Sequence, residues 1–259
     1  IKGFLESQDI EVILGEGVRE IDGEAGSKRI VTGKETYSSG FVVIATGVRP
    51  SLEIAKQMGL EIGSRGGVKV DENMGTSIDG VYASGGLAEV KDLITGQPTL
   101  SLFASTAYLM GRVAGINAAG GEEALKGVLQ NWIINLGGFK FGAVGLTEET
   151  ARKNGFETIS TSISAPDKPV FYPDSSEIRV KLVADAEDGR LLGAQVLGRG
   201  NVLEKLNLFS TLIARGATAF ELPHLELAYT PTLNEVVSPI YVAADALIRR
   251  LTRRLARKL

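Results

Sequence analysis

The sequence predicts a three-layer α/β unit followed by an α+β domain, and three observations carry that prediction. Phe41-Val42-Val43-Ile44-Ala45 is apolar at every position, which suits a strand buried on both faces of a parallel sheet. Two glycine turns, Ala45-Thr46-Gly47 and Ser84-Gly85-Gly86, close strand-like runs at the end where open α/β sheets hold their ligands. Beyond Gly127 the pattern becomes strand–strand–helix, the texture of an α+β domain rather than of further βαβ units.

Taken in order, short strands are expected at residues 11–14, 18–21, 29–31 and 41–45, with turns at Asp22-Gly23 and Ser39-Gly40 between them. Thr46-Gly47-Val48-Arg49-Pro50 breaks the fourth, and Ser51 is expected to cap a short helix that runs to Met58 and stops at Gly59. Strands at 67–70 and 81–83 follow, then a helix of small residues over 105–119, ended by Gly120-Gly121. In the second part, strands 132–136 and 140–144 join through Gly137-Gly138, and Thr147 caps a polar helix that ends at Gly155. Strands at 158–162, 178–183 and 191–197 precede a helix over 202–214 and a last one from about 237. The domain boundary is expected near 120–127, with no internal repeat and no low-complexity segment.

Composition narrows the function classes. The 259 residues are 44% hydrophobic and 23% charged, which excludes disordered, collagenous and disulfide-scaffold chains. With no cysteine there is no disulfide, thiolate nucleophile or cysteine metal site, and one histidine leaves no histidine cluster, so no metal is expected. A net charge of −3 offers no argument for nucleic-acid binding. No apolar run reaches the roughly 18 residues of a membrane span. The chain begins at Ile1 without a basic-then-apolar leader, so the expectation is a cytoplasmic protein and a fragment of a longer one.

Gly198-Arg199-Gly200 invites a dinucleotide reading, but the third small position is Leu203, too bulky for close helix–strand packing. Asn201 with Glu204 three residues on reads instead as a capping box. No complete G-x-G-x-x-G occurs. The stronger signal is paired: Val43-Ile44-Ala45-Thr46-Gly47-Val48-Arg49-Pro50, and later Thr76-Ser77-Ile78-Asp79-Gly80-Val81-Tyr82-Ala83-Ser84-Gly85-Gly86-Leu87-Ala88-Glu89. A helix opening Ala104-Ser105-Thr106-Ala107 and carrying Gly111-Arg112, Ala114-Gly115 and Asn117 comes next.

On these residues the sequence resembles the pyridine nucleotide–disulfide oxidoreductases, in the branch of NADH oxidases, coenzyme A-disulfide reductases and persulfide reductases. Phe171-Tyr172-Pro173, Leu192-Gly193-Ala194-Gln195 and Tyr229-Thr230-Pro231 extend the resemblance through that family's dimerisation domain. The resemblance implies a glutathione-reductase-like, FAD/NAD(P)-binding α/β remainder followed by an α+β dimerisation domain. Residues 1–50 would end the NAD(P)H domain, 51–122 would be the C-terminal segment of the FAD domain, and 123–259 would dimerise. It implies FAD and NAD(P)H as cofactors, with Thr46, Gly47, Gly85, Gly86, Leu87, Ala104 and Ser105 as flavin contacts. A homodimer is implied, and a small thiol, disulfide, persulfide or oxygen as electron acceptor.

Two departures qualify this. Gly86 stands where the family has the aspartate that bonds the flavin's ribityl chain, and the family's N-terminal part, with its G-x-G-x-x-G unit and redox cysteine, does not match anything here. Thr230 stands where glutathione-reductase-like relatives carry a general-base histidine, and a threonine cannot titrate near neutrality, so Glu235 is expected merely to open a helix. Tyr229 and Tyr172 match the tyrosines of the coenzyme A-disulfide branch, whose phenols would donate to a substrate or a sulfur oxyanion; packing at a subunit seam is the alternative for each. The competing reading of the whole chain is a non-catalytic dimerisation module.

The remaining candidates read as structural. His224 after Pro223 is expected in a surface loop, and Trp132 beside Ile133 and Ile134 in the core. At the C-terminus Arg249, Arg250, Arg253, Arg254, Arg257 and Lys258 oppose Leu247, Leu251, Leu255 and Leu259 on a basic amphipathic helix. Such a helix can rest on an anionic membrane, but the rest of the chain is net acidic and is the expected docking surface.

Overall fold

The computed structural model describes residues 1–256 and separates into two units, Ile1–Arg49 and Pro50–Leu259. In the first, a helical turn α1 (Lys2–Glu6) precedes an antiparallel sheet of β1 (Val18–Glu24), β2 (Ser27–Thr32) and β3 (Thr36–Ser39), in that order. Asp22 and Arg29 face each other across β1 and β2, and their ion pair lowers the Asp22 carboxyl below its ordinary value. The hairpin turns at Ala25-Gly26, so Asp22-Gly23 lies inside β1 rather than in a turn. Residues 11–14 form no strand, and β3 went unforeseen because Thr36-Tyr37-Ser38-Ser39 shows no apolar alternation.

The largest departure is at residues 41–45, which pair with no strand among the described residues. Phe41 is 77% exposed, and Val43 and Ile44 are comparably bare. A strand buried on both faces takes its hydrogen bonds and its cover from neighbouring strands. Nothing within Ile1–Arg49 supplies them.

The second unit opens with α2 (Glu53–Gln57), capped at Leu52 and not at Ser51, whose hydroxyl instead bonds the Glu53 carboxylate at 2.5 Å. A small sheet follows, β4 (Val68–Lys69), β5 (Ala88–Lys91) and β6 (Pro98–Leu100), with β4–β5 parallel and β5–β6 antiparallel. The expected strand at 81–83 is reduced to a single bridge between Gly75 and Tyr82. Helix α3 (Ala104–Ala118) buries Met110, Val113 and Ala114 against Met74, Ala88, Val90 and Val128.

The rest is a five-stranded antiparallel sheet in the order β7-β8-β11-β10-β9. Its strands are β7 (Trp132–Leu136), β8 (Phe139–Gly145), β9 (Thr158–Pro166), β10 (Glu177–Asp185) and β11 (Leu191–Gly198). Along β10, Ile178, Val180, Leu182 and Ala184 face one core while Arg179 and Lys181 turn away, the period-2 pattern of a half-covered sheet. That core is closed by α5 (Val202–Ala214), through Leu206 and Phe209, and by α6 (Pro239–Leu255), through Ile240, Ala243, Ala244, Leu247 and Leu251. On the opposite face α4 (Glu148–Lys153) sets Ala151 against Val183 and Leu192, and its N-cap Thr147 accepts the Thr150 N–H at 3.1 Å.

Two local expectations fail in the second unit. β7 is an edge strand with Ile133 and Ile134 exposed, and Trp132 is only half-buried, edge-on to Phe141, so this trio is not core. Asn201 begins α5, but its amide bonds the Glu204 carboxylate and makes no cap to the backbone. The basic helix spends its apolar face internally: Leu247 and Leu251 are buried, and Arg254 pairs with Glu157. Arg257, Lys258 and Leu259 lie outside the described residues. Among those described, no helix is long and apolar enough to cross a membrane.

Candidate functional site

The first cluster of expected contacts forms where a glycine turn meets a helix. Gly85–Leu87 make a single 3-10 turn, and Gly85 holds φ +79°, a conformation that costs glycine nothing and other residues about 1 kcal/mol or more. The Gly85 N–H donates to Met110 Sδ at 3.2 Å, and a Cβ at Gly85 would meet only the Ala107 methyl, at 3.7 Å. The turn is thereby fastened to α3, whose exposed first residues are Ala104 and Ser105. The structure thus brings Gly85, Gly86, Leu87, Ala104 and Ser105 to one region of the second unit. Thr46 and Gly47 lie in the first unit, both exposed, with Gly47 at φ +98°.

For the flavin that the resemblance implies, the turn of the second unit offers small side chains but lacks the expected carboxylate. With the Gly85 N–H taken by Met110, the Gly86 and Leu87 N–H groups are the donors that the start of this turn could offer to phosphate or ribityl oxygens. Small side chains at 85, 86, 104 and 105 permit close approach. The carboxylate that would bond a ribityl hydroxyl is missing at Gly86, although a Cβ there meets only the Leu102 methyl, at 3.3 Å. Among the described residues no group of three histidine, aspartate or glutamate side chains is placed to hold a metal ion.

The second cluster comprises the two tyrosine loops. Tyr172 is half-buried, its ring tilted against Phe171 at a centroid distance of 4.8 Å, in a loop tied by Tyr172 N–H to Pro169 O and Ser175 N–H to Tyr172 O, both 3.0 Å. The Lys168–Asp174 ion pair, at 2.6 Å, braces this loop and raises the Lys168 ammonium above its ordinary value. Tyr229 is 50% exposed in a second loop, folded by Asn234, which accepts the Thr230 N–H at 3.0 Å and donates to Ala228 O at 2.7 Å. Glu235 does not open a helix, since α6 begins at Pro239; its N–H donates to Asp167 O at 3.0 Å. His224 closes a 3-10 helix, Ala219–His224, and is exposed.

Residues 1–111 match the family model "pyridine nucleotide-disulphide oxidoreductase", and residues 136–240 match that family's dimerisation domain. The chain belongs to that family. A curated NADH oxidase of Methanocaldococcus jannaschii is 33% identical over 98% of this chain and 56% of its own length. A CoA-dependent NAD(P)H sulfur oxidoreductase of Pyrococcus furiosus is 37% identical over 93% of this chain and 54% of its own. Among solved structures, an NAD-dependent persulfide reductase from A. fulgidus superposes with a TM-score of 0.92 at 31% identity, over 96% of this chain and 46% of that one. The chain therefore spans about half the length of the relatives it matches. The chain has the fold of its relatives, an NAD(P)-binding α/β part followed by the dimerisation domain. Membership implies FAD and NAD(P)H as the family's cofactors.

Two residues of the site escaped the sequence reading. Met110 is the acceptor that fastens the glycine turn, but in sequence it is one more apolar residue on a helix. Asp167 is buried beneath the tyrosine loops, and in sequence it is one acid in the polar run Asp167-Lys168-Pro169.

Proposed function

We propose that this chain supplies the dimerisation domain and part of the flavin site of an FAD-dependent NAD(P)H oxidoreductase that reduces a small disulfide or persulfide. In this reading residues 1–50 end the NAD(P)H domain, 51–122 belong to the FAD domain and 123–259 form the dimerisation domain of a homodimer. The observation that carries it is the Gly85–Leu87 turn fastened to α3, which gathers five of the seven expected flavin contacts. Bound FAD would relay the two electrons of NAD(P)H to the acceptor. Gly86 and Leu87 would hold it by backbone amides, and Gly85, Ala104 and Ser105 would permit its close approach. Tyr172 and Tyr229 would each donate a phenolic hydrogen bond to the acceptor's sulfur as charge develops there. The names of the curated relatives divide between NADH oxidases and sulfur or persulfide reductases, and the match of Tyr172 and Tyr229 to the coenzyme A-disulfide branch is what favours sulfur over oxygen.

Two measurements test this. The purified protein should show flavin absorption near about 450 nm, a property of the cofactor itself. Tyr229→Phe keeps the ring and removes the donor. In the flavin-loaded oxidoreductase it should lower disulfide or persulfide turnover about tenfold to a hundredfold. Full turnover by both Tyr229→Phe and Tyr172→Phe would leave the tyrosines as seam packing. A second reading, a dimerisation module without catalysis, is favoured by the missing carboxylate at Gly86. A colourless protein that does not take up added FAD would establish that reading instead.

A further inference from the structure

The loops that carry Tyr172 and Tyr229 are 57 positions apart in sequence, yet both are tied to one residue. Asp167 follows the last ladder pair of β9 and β10, Pro166 with Glu177, and is only 4% exposed. Its N–H donates to Ser176 O at 2.9 Å and its Oδ1 accepts the Ser176 N–H at 2.7 Å, which together shut the base of the Tyr172 loop. Its carbonyl accepts the Glu235 N–H at 3.0 Å, which fixes the end of the Tyr229 loop. The other carboxylate oxygen reaches toward Gly200, where an added Cβ would stand 2.1 Å from it. Any larger residue at 200 would displace the carboxylate, which gives Gly198-Arg199-Gly200 a purpose that owes nothing to nucleotides. Burial holds the ammonium of Lys205, 5% exposed, below its ordinary value, with the charges of Glu204 and then Asp167 opposing that in part.

We propose that Asp167 is a positioning residue for the acceptor site: its buried carboxylate shuts the base of the Tyr172 loop while its backbone carbonyl holds the end of the Tyr229 loop, so that one residue sets both phenols. The proposal rests on the reading that these phenols act on the acceptor. A buried carboxylate that accepts a backbone N–H is costly to lose, because the amide is left without a partner in a dry site. The geometry also explains why the loops hold their shape while exposing Val170, Phe171 and Leu233: their order comes from the base, not from packing at the tips.

The test compares Asp167→Ala, Asp167→Asn and Gly200→Ala in the flavin-loaded oxidoreductase, by amide hydrogen exchange and by steady-state kinetics. Asp167→Ala should speed exchange at Ser176 by about tenfold or more and lower kcat for the disulfide by a similar factor, while exchange at Glu235, bonded to the retained backbone carbonyl, and KM for NAD(P)H stay unchanged. Asp167→Asn keeps an acceptor oxygen and should recover most of both. Gly200→Ala disturbs the carboxylate without removing it, and should reproduce the alanine phenotype if Asp167→Ala does not fold. Unchanged exchange at Ser176 in both Asp167→Ala and Gly200→Ala would overturn the clasp. Faster exchange with parental kcat, in a protein where Tyr229→Phe does lower kcat, would overturn the positioning role and leave the tyrosine reading standing. If Tyr172→Phe and Tyr229→Phe keep full turnover, it is the tyrosine reading that fails, and the proposal falls with it.

Discussion

At Gly86 the backbone has room for a carboxylate that the sequence does not supply. The residue is outside the left-handed region, and an added Cβ meets only the exposed Leu102 side chain, which can rotate away. Gly86→Asp is therefore expected to fold normally. A hydrogen bond donated to a charged acceptor contributes about 1.5–3 kcal/mol, so FAD should bind about tenfold tighter or better. Titration of the apoprotein with FAD, followed by flavin fluorescence, measures this; equal or weaker binding would mean that position 86 does not face the ribityl chain. The neighbouring glycine makes the contrasting control. Gly85 sits at φ +79°, where alanine is strained, so Gly85→Ala should destabilise the turn by about 1 kcal/mol or more and weaken FAD even though its Cβ has space. Two adjacent glycines thus serve different ends, one conformation and the other emptiness, and backbone φ separates them.

Among the elements, α4 shows how charge seats a short helix. Six residues are too few to be stable alone, so the helix depends on its cap and on Glu148. Glu148 accepts from Ser160 Oγ at 2.8 Å and Lys181 Nζ at 3.2 Å, tying α4 to β9 and β10, and pairs with Arg152 one turn on. The Ser160 hydrogen bond, followed by the Lys181 and Arg152 charges, holds its carboxyl below the usual 4.5 despite an opposing contribution from burial. A depressed carboxylate stabilises the fold above its unfolded value and loses that contribution as pH falls through its folded value. Thermal melts from about pH 7 to about pH 3 should therefore show Glu148→Gln less stable than the parent at neutral pH, with the gap closing in acid. A gap that does not change with pH would assign the effect to packing. Elements such as α4, α5 and β7 were legible in the sequence because each carries its own signal: Thr147 as cap, an apolar stripe over Val202–Ala214, a glycine pair after Leu136. β5 and β6 were not, since Ala88–Lys91 and Pro98–Leu100 gain strand character only by pairing with each other and with β4. Residues 41–45 fail in the opposite sense, with strong strand chemistry and no partner. The candidate site divides the same way. The glycine turn was legible as a motif, whereas Asp167 acquires its meaning from Ser176, Gly200 and Glu235, distant in sequence.

For the whole molecule, the exposed apolar residues point to association through the dimerisation domain. Val170, Phe171, Leu233, Val236 and Val237 are all more than half exposed, and they lie on the two loops that carry the tyrosines or immediately beyond them. Exposed apolar groups in this density, within a region matching a dimerisation domain at 136–240, are what a two-fold interface covers. Stable interfaces cover about 800 Å² per partner, and their energy concentrates in a few central side chains of which aromatics are typical. Phe171, tilted against Tyr172 and 76% exposed, fits that role. Sedimentation of the 27.5 kDa chain at micromolar concentration should accordingly give twice the chain mass. Phe171→Ser combined with Val236→Ser should weaken association at least tenfold, from the apolar area lost at about 25 cal/mol per Å². A clean monomer of the parent chain would count against the assembly. The informative comparison is between this pair and Tyr229→Phe. If the seam and the acceptor site share one surface, dissociation and loss of turnover must run together in Phe171→Ser/Val236→Ser. Tyr229→Phe should instead lower turnover in a protein that remains a dimer, because it removes a hydroxyl and keeps the ring that packs. A dissociated variant with parental turnover per chain would show that each subunit completes its own site and that the interface is purely architectural.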